Sequence, residues 1–182
     1  EKIISKKEFS KIPEEDIWKA YNQFERRECA DEEKIRLARD LLRKVYSAFT
    51  SGKLLNIKDK SEEWLLRKHL STRERLNYYP ELYEKLIGSL KECSIVDLGS
   101  GINGLSYKFF PKKTKVNYVS VEAVGQLVDL MNFHFNKKKL KAKAISESLF
   151  NLEKIKKIII GCKKPRIVFL FKVIDSLEML EK

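Results

Sequence analysis

The sequence predicts an α/β fold in which a helical amino-terminal region is followed by a parallel sheet. Apolar residues recur at helical spacing before Cys93, which is typical of amphipathic helices. After Cys93 the pattern changes to short apolar runs that alternate with helical segments, as in a sheet built from strand-helix-strand units. We therefore divide the chain into a helical region, 1–92, and a sheet region, 93–182.

Four helices are predicted in the first region, and they start near Pro13, Asp31, Ser61 and Pro80. In the first of them, Glu14, Glu15 and Asp16 occupy the opening turn, where negative charge complements the helix dipole. The second is expected to end at Gly52, since glycine commonly terminates helices.

Four strands are predicted in the second region, at Ser94–Leu98, Val116–Val121, Lys141–Ile145 and Arg166–Phe171. The first is an apolar run that stops at a glycine pair, as a buried parallel strand does. A helix from about Val124 to Phe135 follows the second strand, and Ile174–Lys182 is expected to begin the helix after the fourth.

The chain is strongly basic, with 38 Lys and Arg against 26 Asp and Glu, a net charge of +12 and a pI near 9.5. A lysine-rich proteome would give the same total, but the bases are concentrated between Lys137 and Arg166. Such a surface favours a polyanionic partner. The RNA-binding candidates are Lys137, Lys138, Lys139, Lys163, Lys164 and Arg166.

Several function classes are excluded by what the sequence lacks. Three widely spaced cysteines without CxxC spacing indicate reduced thiols and no metal site. The longest apolar stretches, Lys157–Ile160 and Ile167–Phe171, are strand-sized, so no membrane partner is expected. The chain starts at Glu1, which indicates a trimmed amino terminus, and shows no signal peptide. We expect a cytoplasmic monomer.

A glycine-rich turn follows the first predicted strand. Gly99, Gly101 and Gly104 have the GxGxxG spacing that lets the backbone approach a nucleotide closely, although this signal alone is weak. Asp97 lies two residues before the first glycine, which is common in methyltransferases and unusual in dinucleotide binders. Glu122 ends the second strand, where a carboxylate can accept both ribose hydroxyls.

A second motif precedes this turn. The segment His69–Arg75 reads HxSTxER, and Asp97–Asn103 reads DxGxGxN. This pair resembles the small-subunit (16S) ribosomal RNA guanine-N7 methyltransferases, which are known mainly as aminoglycoside-resistance enzymes. The resemblance runs from about residue 35 to the end and includes Phe169–Lys172, an apolar run that ends in lysine.

The resemblance implies a Rossmann-like class I methyltransferase sheet that binds S-adenosylmethionine. Arg75 would hold the methionine carboxylate, with His69 and Thr72 lining that end. Glu122 would hold the ribose, and Lys172 would edge the cavity. The full set of cofactor-binding candidates is His69, Thr72, Arg75, Asp97, Gly99, Ser100, Gly101, Glu122 and Lys172.

The sequence departs from the family pattern at three positions. The family usually has Cys at the position of Ser100, Pro at that of Gly104, and Asp at that of Glu122. A class I sheet also normally has seven strands, whereas only four are predicted here. We therefore expect a sheet that is incomplete at its carboxyl-terminal side, preceded by helices that dock on folded RNA.

The implied reaction is an in-line methyl transfer to guanine N7, whose free lone pair needs no general base, so no catalytic residue is assigned. The residues after the fourth strand read Lys172-Val173-Ile174-Asp175, without the Pro-Pro-aromatic run of adenine-N6 enzymes. Cys162 precedes that strand and lacks the neighbouring proline of a cytosine-C5 nucleophile. The alternatives are an inactive RNA-binding or ribosome-associated module, or another acceptor such as transfer RNA or protein.

Overall fold

The computed structural model describes residues 2–47 and 60–181. The helices are α1 (Glu14–Glu25), α2 (Asp31–Leu42), α3 (Glu62–Lys68), α4 (Leu70–Arg75), α5 (Tyr79–Ile87), α6 (Gly125–Lys137), α7 (Leu152–Gly161) and α8 (Ile174–Glu181). The strands are β1 (Glu92–Leu98), β2 (Lys115–Glu122), β3 (Ala142–Ser146) and β4 (Arg166–Phe169). A π-helical turn, Arg43–Ser47, extends α2, and a 3₁₀ segment, Asn103–Phe109, follows the glycine turn.

The four strands form one parallel sheet in the order β3-β2-β1-β4. In the register, Asp97 of β1 lies opposite Ser120 of β2, and Glu122 lies opposite Ser146 of β3. Because all four strands run the same way, their carboxyl ends meet at one edge of the sheet. This arrangement confirms the predicted α/β fold with a parallel sheet.

Apolar side chains cover both faces of the central strands. Ile95 of β1 packs with Tyr79, Tyr83 and Phe135, which come from α5 and α6 on one face. The next residue, Val96, points to the other face, in the cluster that holds residues of α7. A strand that is buried on both faces needs mostly apolar side chains, which explains Cys93, Ile95, Val96 and Leu98 in β1.

The helical region packs directly on the sheet. Leu65 and Leu66 of α3 share one apolar cluster with Ile95 of β1. Ala20 of α1 and Leu42 of α2 belong to a second cluster, which the helix α8 also joins. The predicted helix starts agree with the structure, including Ser61, whose hydroxyl accepts a hydrogen bond from the Trp64 N–H. Gly52 lies outside the described residues.

The structure adds one helix that the sequence analysis did not predict and corrects the end of one predicted strand. The strand-sized stretch Lys157–Ile160 belongs to helix α7, in which Ile155 is buried while Ile160 is exposed. The fourth strand ends at Phe169, so Phe171 and Lys172 lie in the turn before α8. Three isoleucines in a row, Ile158–Ile160, fit either a short strand or part of a helix, so this run alone does not distinguish the two.

Strand β4 is the last strand of this four-stranded sheet. Several apolar side chains along it and just beyond it are exposed: Val168 at 39%, Leu170 at 48% and Ile174 at 50%. This edge of the sheet therefore combines unpaired strand backbone with exposed apolar side chains.

Candidate functional site

The turn after β1 requires glycine at two positions. Gly99 has φ +63° and Gly101 has φ +55°, a left-handed conformation that other residues adopt at a cost. Space is also limited, because a methyl group on Gly101 would lie 2.8 Å from His69 Nε2, and one on Gly99 would overlap Val173. The turn thus presents bare backbone to the carboxyl edge of the sheet.

Glu122 ties the end of β2 to this turn. Its side chain is buried, its Oε2 accepts a hydrogen bond from the Gly101 N–H at 2.7 Å, and its Oε1 accepts one from the Val124 N–H at 2.9 Å. Burial raises the pKa of this carboxyl, while the two backbone donors act in the opposite direction. Each oxygen keeps a second lone pair for a ligand.

Asp97 lies beneath the turn and is fully buried. Its Oδ2 accepts hydrogen bonds from Asn103 Nδ2 at 2.7 Å and from the Tyr118 hydroxyl at 2.5 Å. Burial raises the pKa of Asp97 to about 6, against the opposing effect of these two donors. Asp97 therefore stabilises the glycine turn through buried hydrogen bonds and does not itself line the cavity.

Replacing Asp97 with asparagine is expected to change how stability depends on pH. Because its pKa rises from 3.8 to about 6 on folding, the stabilising contribution is complete at low pH and is lost as the pH rises through 6. Relative to Asp97→Asn, we expect the wild type to lose about 2 to 3 kcal/mol of unfolding free energy between about pH 4 and 7.

Urea unfolding of both proteins at these pH values measures this difference. The comparison with the variant removes the contribution of His69, whose pKa is lowered to about 4 by burial and by the charge of Arg75, and whose effect on stability has the opposite sign. Parallel pH dependences of the two proteins would contradict a titrating Asp97.

His69 joins helices α3 and α4 and reaches the glycine turn. Its backbone is extended, so α3 ends and α4 restarts there at a new angle. The Thr72 hydroxyl donates a hydrogen bond to the Leu66 carbonyl at 2.8 Å and fixes this bend. Thr72 lies behind His69 and stabilises the wall that His69 forms.

Arg75 is a half-buried guanidinium held by neutral groups. It donates hydrogen bonds to Ser71 Oγ at 2.9 Å and to Asn103 Oδ1 at 3.4 Å, and its centre lies 5.0 Å from the Phe171 ring. Among the described residues, its buried Nε has no hydrogen-bond partner and no carboxylate pairs with it. Its positive charge is therefore available to an anion at this end of the site.

A cavity lies over the carboxyl edge of the sheet, beside these groups, and encloses about 690 Å³ when the solvent at its open mouth is included. Six predicted residues line it: His69, Gly99, Ser100, Gly101, Glu122 and Lys172. Three others, Thr72, Arg75 and Asp97, lie one layer behind its wall. Lys172, at φ +56°, pairs with Glu74 at the rim.

The sequence analysis did not predict several residues that line the cavity. Four of them have polar or aromatic side chains that could contact a ligand: Ser71, Phe171, Tyr46 and Asp16. Ser71 belongs to the HxSTxER motif and links Arg75 to the cavity. Asp16 was interpreted only as a dipole partner of α1, but it is 1% exposed. A signal was present, because Asp16 shares a helix face with Ala20 and Phe24 at four-residue spacing.

The predicted RNA-binding residues lie at the opposite edge of the sheet. Lys137, Lys138 and Lys139 precede β3, and Lys163, Lys164 and Arg166 lie at the entry to β4, so both groups are at the amino ends of the strands. Arg166 donates to carbonyls at the end of α7, and Lys138 pairs with Glu62 at 2.6 Å. The other four are exposed and have no ion pair within the described ranges.

Within residues 2–47 and 60–181, no group of three His, Cys, Asp or Glu side chains is arranged to hold a metal ion. No helix in the same ranges combines the length and the apolar character needed to span a membrane.

The fold is that of a Rossmann-like α/β domain, with a glycine turn after β1 and a carboxylate at the end of β2. The family model "Ribosomal RNA methyltransferase (FmrO)" matches residues 32–148, more than half of the chain. The chain belongs to this family of ribosomal RNA methyltransferases. The match covers both motifs, HxSTxER and DxGxGxN, so the predicted resemblance is confirmed.

Solved structures with a similar fold include three 16S rRNA methylases. RmtF, solved in complex with S-adenosyl-L-homocysteine, has a TM-score of 0.74 at 17% identity, over 97% of this chain and 68% of RmtF. RmtB has a TM-score of 0.68 at 15% identity, over 82% of this chain and 63% of RmtB. ArmA has a TM-score of 0.55 at 25% identity, over 71% of this chain and 65% of ArmA.

The chain thus spans about two thirds of the length of these proteins, and less than two thirds of RmtB and ArmA. A search among curated protein sequences finds no match.

Proposed function

We propose that this chain binds S-adenosylmethionine in the cavity at the carboxyl edge of the sheet and methylates small-subunit ribosomal RNA at guanine N7. The observation that carries the proposal is the half-buried guanidinium of Arg75, which has no carboxylate partner among the described residues and lies behind a glycine turn and a buried carboxylate. Membership of a ribosomal RNA methyltransferase family supports the substrate class.

The residues fit the cofactor at both of its polar parts. Arg75, with Ser71 in front of it, would bind the carboxylate of the methionine moiety through charge-assisted hydrogen bonds. Gly99 and Gly101 present bare backbone at the wall of the cavity, along which the methionine chain would pass. Glu122 would accept hydrogen bonds from the ribose hydroxyls with its remaining lone pairs.

The proposed reaction requires alignment of the methyl donor with the base rather than proton transfer. S-adenosylmethionine supplies an electrophilic methyl group when bound. Guanine N7 carries a lone pair and no proton, so the protein needs to hold the base in line and exclude water. His69 remains neutral at pH 7, since burial and the charge of Arg75 lower its pKa to about 4, and it therefore adds no second positive charge next to the positively charged sulfonium.

Incubation of small ribosomal subunits with the protein and S-adenosylmethionine labelled in the methyl group tests this function. We expect incorporation at one guanine, and N7-methylation should make the strand cleavable there after reduction and base treatment. Arg73 is an exposed neighbour of Arg75 on α4, so Arg73→Ala serves as the matched control for Arg75→Ala. A label on a ribose or an exocyclic amine would refute N7, and RNA binding without any transfer would favour the inactive module.

We also propose that four lysines at the amino edge, which form no ion pair with any residue that the structure describes, bind RNA phosphates: Lys137, Lys139, Lys163 and Lys164. Replacing Lys163 and Lys164 with alanine is expected to weaken RNA binding across sequences and to reduce the slope of log K against log salt by about 1 to 2. Salt titrations of RNA affinity measure this slope. Replacing Lys85, which pairs with Glu81, is the control, and an unchanged slope in the double variant would exclude this surface.

A further inference from the structure

One buried carboxylate in the cavity comes from the helical region rather than from the sheet. Asp16, in the first turn of α1, is 1% exposed and lines the cavity together with Glu122. The Tyr46 hydroxyl donates a hydrogen bond to its Oδ2 and the Ser148 hydroxyl donates one to its Oδ1, each at 2.5 Å. These two donors fix the orientation of the carboxyl group.

The position of Asp16 along the sheet edge follows from the strand order. Ser148 lies just beyond β3, Glu122 ends β2, and the glycine turn with His69 lies beyond β1. With about 4.8 Å between neighbouring strands, the β3 end lies about 10 Å from the β1 end. Asp16 and Arg75 are therefore on opposite sides of Glu122.

The order of Arg75, Glu122 and Asp16 along the sheet edge determines which part of a bound ligand would lie next to Asp16. If Arg75 holds the carboxylate of the cofactor and Glu122 its ribose, the group that continues past Glu122 toward β3 is the purine base. The wall there is apolar, with Leu149, Phe150 and Leu180 lining the same cavity, which suits the faces of a ring. Asp16 supplies a polar group at the rim of that apolar wall.

A carboxylate at this position is selective because, when ionised, it only accepts hydrogen bonds. Its two oxygens each accept one bond within the protein and keep a lone pair. Burial raises the pKa of Asp16, with Ser148 and Tyr46 acting in the opposite direction and the nearby carboxylates Glu15 and Glu147 adding to the increase. A ligand that donates a hydrogen bond would offset the cost of this buried charge.

We propose that Asp16 accepts a hydrogen bond from the exocyclic amine of the adenine of the cofactor, and that it thereby selects an aminopurine over an oxopurine. This inference rests on the proposed binding of S-adenosylmethionine. It adds α1 to the cofactor site, so a second part of the helical region, besides the segment His69–Arg75, would contact the cofactor.

The test compares S-adenosylhomocysteine with S-inosylhomocysteine, in which an oxo group replaces the amine, by calorimetry. We expect the wild type to prefer the adenine compound by about 30-fold, because the oxo group accepts hydrogen bonds and cannot donate one to the carboxylate from the position of the amine. Asp16→Asn should reduce this preference to within about 3-fold, since the amide can donate to the oxo group. Glu15→Gln, the exposed neighbouring acid on the same turn, should keep the wild-type ratio.

The outcomes separate the two proposals. If the wild type binds neither compound, both the cofactor site and the role of Asp16 are refuted. If it binds the adenine compound and Asp16→Asn keeps the full preference, only the role of Asp16 is refuted. Should Asp16→Asn fail to fold, a structure of the wild type with S-adenosylhomocysteine decides, since an amine more than about 4 Å from the Asp16 oxygens would overturn the inference.

Discussion

Replacing Arg75 with alanine is expected to weaken binding of S-adenosylhomocysteine by about 100-fold, which corresponds to roughly 2.7 kcal/mol. The reason is that Arg75 is half-buried, is held in place by Ser71 and Asn103, and has no carboxylate partner among the described residues. Its loss would leave the carboxylate of the ligand desolvated without a counter-charge. Calorimetric titration at constant salt measures the dissociation constant directly.

The matched control for this prediction is Arg73→Ala. Arg73 lies two residues earlier on the same helix and is exposed, so its removal changes the net charge equally while leaving the site intact. Arg75→Lys should recover only part of the affinity, because an ammonium cannot reproduce the planar fork of a guanidinium. Equal affinities of the Arg73 and Arg75 variants would show that the guanidinium of Arg75 does not bind the ligand.

Gly99→Ala is expected to destabilise the protein by about 3 kcal/mol. The left-handed backbone of Gly99 costs an alanine about 1 to 2 kcal/mol, and crowding in a packed region costs a similar amount. A methyl group there would overlap Val173, whose side chain is buried between the turn and α8. The strain falls on the turn itself, so cofactor affinity should decrease together with stability.

Gly161→Ala is the control for this effect. Gly161 ends α7, and a methyl group on it meets nothing within 4 Å among the described residues, so alanine should be neutral or stabilise the protein by up to about 1 kcal/mol. Denaturant unfolding of the two variants gives both free energies. A Gly99 variant as stable as the Gly161 variant would mean that the turn relaxes to accept a side chain.

The sheet could be predicted from sequence where apolar runs have clear ends. Strand β1 ends just before Gly99, β2 ends at Glu122, and both strands are buried on two faces. Their apolar composition and the residues that end them therefore predict the same boundaries. Helix α7 was missed because the run Ile158–Ile160 alone shows no helical period, whereas Ile155, Ile158 and Ile159 together have helical spacing and pack in one cluster. Its start is set by the Asn151 side chain, which accepts a hydrogen bond from the Lys154 N–H.

The site was predictable only in part, for a different physical reason. The glycine turn and Glu122 are local features, and Arg75 was found through the resemblance that HxSTxER carries. The spacing of Asp16 with Ala20 and Phe24 indicates a buried helix face, but it does not show that α1 packs against the β3 end, more than one hundred residues away in sequence, where Asp16 enters the cavity. The sequence likewise shows how many basic residues there are, but it does not show on which edge of the sheet they lie.

The separation of the two edges sets a minimum size for a good substrate. Strands β3 and β4, which follow the two groups of lysines, have five and four residues and so span about 13 to 17 Å between these lysines and the carboxyl edge of the sheet. A short hairpin that fills the cavity would leave Lys163 and Lys164 without phosphates, whereas a large RNA that bends around the domain would reach both edges. If both edges bind RNA, the assembled subunit should be methylated far more readily than a fragment with the same target guanine.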